Sequence, residues 1–196
     1  MIQSLDEQGS GLRAVFYKPR LSPDRFGHVI AVVNYDERGK EHARNLILSM
    51  EGDFNDWPIS PPLQSLAIEN RQAGDVALLV GMAGQNHWSA SVEAIPGQKR
   101  LTFDLACRVS MESAARLTST YLASFPATPR PNQIELATDS AEENKIVIRH
   151  ENSLSPIISS SGITSAITLH VAGGLKNPIR WRYEVRLESD LPDVPR

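Results

Sequence analysis

Along most of the chain, hydrophobic and polar positions alternate with a period of two. Arg180-Trp181-Arg182-Tyr183-Glu184-Val185-Arg186-Leu187-Glu188 sets a charged residue against apolar bulk at every step. Successive side chains of an extended chain point to opposite faces, so Trp181, Tyr183, Val185 and Leu187 share one face of a half-buried strand. Residues 100–109 repeat the pattern, with Leu101, Phe103, Leu105, Cys107 and Val109 inward and Thr102, Asp104 and Arg108 outward. Residues 87–94 place Trp88, Ala90, Val92 and Ala94 against His87, Ser89, Ser91 and Glu93. The connector Ile95-Pro96-Gly97-Gln98-Lys99 has Pro-Gly turn chemistry, which predicts a hairpin between these two strands. Another hairpin is predicted from residues 28–35, through Asp36-Glu37-Arg38-Gly39-Lys40, to a run ending in Leu46-Ile47-Leu48. That loop suits a type I turn closed by a left-handed glycine.

Shorter β-branched or aliphatic runs cover residues 14–18, 63–69, 76–82, 133–137, 145–150 and 163–171, each bounded by Gly, Pro, Asn, Asp or Ser. One stretch is ambiguous. In residues 111–125, Met111, Ala114, Thr118, Tyr121, Leu122 and Phe125 recur at helical spacing behind a Ser110 cap, while Thr118-Ser119-Thr120-Tyr121 equally suits a strand. Roughly ten or more short strands with at most one short helix predict an all-β fold, an antiparallel β-sandwich. The segment Ser124-Phe125-Pro126-Ala127-Thr128-Pro129-Arg130-Pro131-Asn132 would serve as a stiff linker. Residues 133–196 offer too few strands for a separate core, so the expectation is one sandwich over residues 12–190, with an alternative split near 124–132. Residues 1–11 and 191–196 are expected to be flexible tails.

Composition narrows the function classes. The 196 residues are 41% hydrophobic, as in ordinary globular proteins. A net charge of −3, with both signs mixed along the chain, argues against nucleic acid or an anionic membrane as partner. The single cysteine excludes an internal disulfide. No apolar leader or spanning stretch is evident, so the expectation is a soluble, cytoplasmic protein.

The segment Gly52-Asp53-Phe54-Asn55-Asp56-Trp57, directly after a predicted strand, resembles the signature of glycogen-binding domains, small early-set β-sandwiches that bind carbohydrate. The resemblance implies a β-sandwich, a core-facing Phe54, and a Trp57 able to stack on a glucose ring. An indole suits that contact, of order 1 kcal/mol by analogy with other aromatic pairs. Gly52, an Asx turn at Asp53 or Asn55, and a Trp57 held extended by Pro58 would equally make a structural turn. Downstream, the polar loop Asn86-His87 leads into Trp88. If Trp57 and Trp88 share an edge, with Asn55, Asn86 and His87 as hydrogen-bonding partners, they form a polar-aromatic cleft.

Other constellations carry less chemistry. Cys107 lies in line with Phe103 and Leu105, where thiols are inert packing. His28, His42, His87, His150 and His170 lack metal-site spacing and are expected at strand ends or on polar faces; no metal or cofactor is predicted. Asp53 and Asp56 are three residues apart in a turn and read as turn formers rather than a glycosidase pair. Residues 81–86 and 172–175 read as hairpin loops, and Ser159-Ser160-Ser161-Gly162 as a flexible connection. The leading expectation is a non-catalytic binding module for carbohydrate or another protein. A small sugar-active enzyme and a structural or assembly protein are the alternatives, so catalysis stays open.

Overall fold

The computed structural model describes residues 1–51, 58–110, 117–137, 144–171 and 177–189. These residues form strands β1 (Ile2–Leu5), β2 (Gly11–Tyr17), β3 (Gly27–Tyr35), β4 (Glu41–Ser49), β5 (Leu63–Arg71), β6 (Gly74–Ala83), β7 (Asn86–Ala94) and β8 (Arg100–Arg108). They continue with β9 (Thr118–Ala123), β10 (Ala127–Arg130), β11 (Gln133–Leu136), β12 (Asn144–His150), β13 (Leu154–Ser161), β14 (Thr164–Val171) and β15 (Ile179–Ser189). Two antiparallel sheets result, a seven-stranded one in the order β1-β2-β3-β4-β9-β14-β13 and an eight-stranded one in the order β10-β11-β12-β15-β8-β7-β6-β5. The all-β sandwich predicted from the period-two pattern is the observed fold.

The turns follow the local chemistry. Gly39 has a φ of 74°, the Asp36 N–H donates to the Lys40 carbonyl, and the Asp36 carboxylate accepts from the Arg38 and Lys40 amides, which closes the β3–β4 hairpin. Gly97 has a φ of 79° in the β7–β8 turn. Thr118–Ala123, ambiguous between helix and strand, is β9; residues 111–116 lie outside the described residues. The chain then passes through Ser124-Phe125-Pro126 from the seven-stranded sheet to β10 of the other.

Two local expectations are corrected. Residues 2–5, expected in a flexible tail, form β1, because Ile2 and Ser4 alternate into the core at 1% and 0% exposure and pair with β2. Ser159, Ser160 and Ser161, read as a flexible connection, end β13, paired with Ala166, Ser165 and Thr164 across a turn at Gly162 and Ile163. Serine is a weak strand former, and pairing in register to β14 overrides that preference.

Between the sheets, the aromatic residues form the centre of the core. Phe103 stacks on Tyr183 with ring centroids 4.9 Å apart, and Trp88 meets Trp181 edge to face at 6.0 Å. All four are nearly inaccessible. Offset-stacked and edge-to-face geometries are those the ring quadrupole favours.

Candidate functional site

Among the described residues, two concave regions draw on both polar and apolar side chains, and their chemistry differs. The first is an interior pocket between the sheets, lined by Phe16, Phe26, His28, Ser49, Glu51, Ser60, Phe103, Tyr121 and Tyr183 among others. Its free space is about 20 Å³, enough for one water. His28, the second residue of β3, lies at a strand end as expected but shares the inward parity of Ile30, so the structure corrects the expectation that it faces solvent. Its Nε2 lies 3.2 Å from the Tyr121 hydroxyl, which bonds to the Tyr183 hydroxyl across the sheets. The Trp181 indole N–H donates to Ser119 Oγ at 3.2 Å nearby. At the mouth, Ser49 Oγ accepts from the His28 amide at 2.8 Å and donates to Glu51 Oε1 at 2.9 Å.

Burial sets the protonation states in this pocket. It pushes the His28 imidazole down to about 4, and raises the Tyr121 and Tyr183 phenols and the Glu51 carboxyl, because each charged form loses hydration. A neutral imidazole and two neutral phenols in a space for one water make a satisfied polar network tying the sheets together, with no room for a substrate.

The second region is an open groove of about 560 Å³ on the outer face of the eight-stranded sheet, lined by residues of β5 to β8 and by Pro178. Its geometry follows from register. Met82, His87 and Arg108 are directly opposed across β6, β7 and β8, and Ser65, Val80, Ser89 and Ala106 form the next row from β5. A bulge between Leu63 and Ser65 inserts Gln64, whose Oε1 accepts from the Met82 amide at 3.1 Å. Gly81 makes the bulge possible, since a Cβ there would sit 1.8 Å from the Pro62 carbonyl oxygen. Pro178 is held at the rim by Asn177, whose side-chain amide donates to the Val109 carbonyl at 2.8 Å and accepts from the Val109 amide at 3.2 Å.

The groove therefore has an apolar strip, Val80 and Met82 at 53% and 46% exposure, flanked by His87, Arg108, Ser65 and Ser89. Among the described residues none of those four polar side chains has a hydrogen-bond or ion-pair partner. Large exposed aliphatic side chains beside unengaged donors are the usual components of a ligand site.

The residues expected to form the cleft divide. His87 is exposed and lines the groove. Trp88 borders the floor of the groove but is 2% exposed with its ring turned inward against Trp181, so it is corrected from a ligand platform to a core residue; its indole N–H is buried without an acceptor among the described residues. Asn86 is also buried and its Oδ1 accepts from the Ser110 amide at 3.1 Å, which ties the end of β8 to the start of β7. The physical reason is parity, since 86 and 88 point inward together with Ala90 and Val92. Asn55, Trp57 and the whole segment Gly52-Asp53-Phe54-Asn55-Asp56-Trp57 lie outside the described residues, as do the carboxylates of Asp53 and Asp56.

Arg108, Met82, Val80, Gln64 and Ser65 were not singled out from the sequence. The outward parity of Arg108 was readable, but its neighbours were not, because register decides which outward residues meet. Cys107 is buried and its thiol is pushed up to about 12, in keeping with packing rather than nucleophilic chemistry. Among the described residues no cluster of three His, Cys, Asp or Glu side chains is arranged to hold a metal ion. No protein-family model matches the chain, and no curated protein matches it.

Proposed function

We propose that the protein is a non-catalytic binding module that holds a carbohydrate along the groove of the eight-stranded sheet. One observation carries the reading: an exposed apolar strip, Val80 and Met82, runs between unengaged polar side chains on three neighbouring strands. A pyranose presents C–H faces and a rim of hydroxyls, and that mixture matches an apolar strip edged by serine, imidazole and guanidinium groups. Among the described residues the groove lining contains no carboxylate of the kind that glycoside hydrolysis uses as acid and base. Its Ser65 and Ser89 have no histidine bonded to them, which leaves them as hydrogen-bonding groups.

Binding to a panel of immobilised polysaccharides tests this, with the double variant Val80→Asp, Met82→Asp as control. Both side chains are about half exposed, so the variant keeps the fold while placing two carboxylates on the apolar strip. The parent is expected to bind at least one polysaccharide, and the variant to bind it at least tenfold more weakly. A parent that binds none, or a variant that binds equally well, overturns the proposal.

A further inference from the structure

Charge on the outer face of the eight-stranded sheet is graded along the strands. The rows run from the groove inward along the face as His87 and Arg108; Ser89, Ala106 and Arg180; Ser91, Asp104 and Arg182; then Glu93, Thr102 and Glu184. Basic groups dominate the groove end and carboxylates first enter beyond it. Arg180 reaches Asp104 only at 3.8 Å, with its side chain 71% exposed, and Arg108 has no acidic partner. In a chain with a net charge of −3, this leaves the Arg108 guanidinium without a counter-charge among the described residues where the groove opens.

An arginine without a carboxylate beside an apolar strip has a specific chemical complement. Its planar fork donates two parallel hydrogen bonds to a carboxylate or sulfate, which a neutral hydroxyl cannot accept in the same way. Arg108 sits directly opposite His87, so both donors face one stretch of ligand, and Arg180 lies one row further along. We infer that the groove selects acidic saccharides, those bearing a carboxylate or a sulfate, with Arg108 as the residue that determines this specificity. The inference rests on the groove being the carbohydrate site.

The test compares binding of the full chain to a neutral dextran, a polyuronate, a sulfated dextran and poly-glutamate, for the parent, Arg108→Gln, Arg108→Lys and, as a control, Arg71→Gln. Arg71 is an exposed arginine on β5 that is engaged by Glu69 at 2.7 Å, away from the groove. The expected result is binding of the polyuronate, the sulfated dextran or both at least tenfold tighter than neutral dextran. Arg108→Gln removes that margin, Arg108→Lys restores part of it, and Arg71→Gln leaves it in place. Raising ionic strength from about 0.05 M to about 0.5 M narrows the margin, since exposed charges are screened within a few ångströms at high salt.

The two acidic polymers separate the carboxylate from the sulfate source. Equal binding of neutral and acidic dextrans, or an Arg108→Gln variant that keeps the margin, overturns the inference and leaves the carbohydrate module standing. Poly-glutamate bound as tightly as the acidic saccharides also overturns it, by showing a general cation patch. Absence of binding to every saccharide overturns both readings together.

Discussion

Trp88 and Trp181 show how much a single buried polar atom matters. Both indoles are almost completely inaccessible and they touch each other edge to face. The Trp181 N–H donates to Ser119 Oγ, whereas the Trp88 N–H has no acceptor. Replacing either by Phe removes volume and opens a cavity, at a cost of about 1–3 kcal/mol. Trp181→Phe also breaks a buried hydrogen bond, worth about another 1 kcal/mol, while Trp88→Phe relieves an unsatisfied donor. Urea unfolding of the two variants is expected to find Trp181→Phe the less stable by roughly that amount. Alternation alone placed both rings on the inward face. It did not separate them, because the acceptor for Trp181 comes from β9 of the opposite sheet.

At the level of the strand, the β5–β6 pair shows why the groove was illegible beforehand. The sequence marks residues 63–69 and 76–82 as strands, and both are present as β5 and β6. Nothing local marks the bulge at Gln64 or explains a glycine at position 81. The explanation is tertiary: the Pro62 carbonyl passes so close to Gly81 that no side chain fits. Gly81→Ala is expected to cost about 1–3 kcal/mol, as overpacked substitutions do, by pushing the start of β5 away from β6. A lowered thermal midpoint, together with faster amide exchange confined to β5, would identify that mechanism. An unchanged midpoint would show that Pro62 yields freely.

Across the whole molecule, the four sheet edges are each blunted. β13 and β10 carry Pro156 and Pro129, which donate no ladder hydrogen bond. β5 is bulged and ends in Glu69 and Arg71. β1 is tied to the opposite sheet, since the Leu5 carbonyl accepts from the Gly97 amide at 2.7 Å and Ser4 Oγ donates to the Ile95 carbonyl at 2.5 Å. Such edges discourage strand-to-strand association.

The same two sheets enclose His28, and this gives stability a pH dependence. Unfolded, His28 titrates near 6.5; folded, it is held down to about 4. Above pH 6.5 it is neutral in both states and contributes no slope. As pH falls from 6.5 toward 4 the unfolded chain takes up a proton that the folded one refuses, so stability falls, and it levels off below 4. A displacement from 6.5 to about 4 corresponds to about 1–2 kcal/mol lost between pH 7 and pH 5. Glu51 acts in the opposite sense, because burial raises its carboxyl and acidification relieves the cost of its charge. Urea midpoints of the parent and His28→Phe at pH 7 and pH 5 isolate the histidine. The parent is expected to lose more stability than the variant over that interval, and equal losses would exclude His28 as the source.

The alternating pattern by itself determined the all-β class, most strands, the β3–β4 and β7–β8 hairpins and the inward or outward side of residues in the regular strands β7, β8 and β15. These follow from side-chain parity and turn chemistry, which are properties of neighbours in the chain. It did not reveal β1, β10 or β13: residues 127–130 sat in the segment read as a stiff linker, and all three short, proline-containing or serine-rich segments become strands only by pairing. Parity also separates the outward His87 from the inward Asn86 and Trp88, but the groove that His87 joins and the interior His28 network depended on register and on which sheet faces which. Those are set by contacts between residues far apart in the chain, so only the tertiary structure decided them.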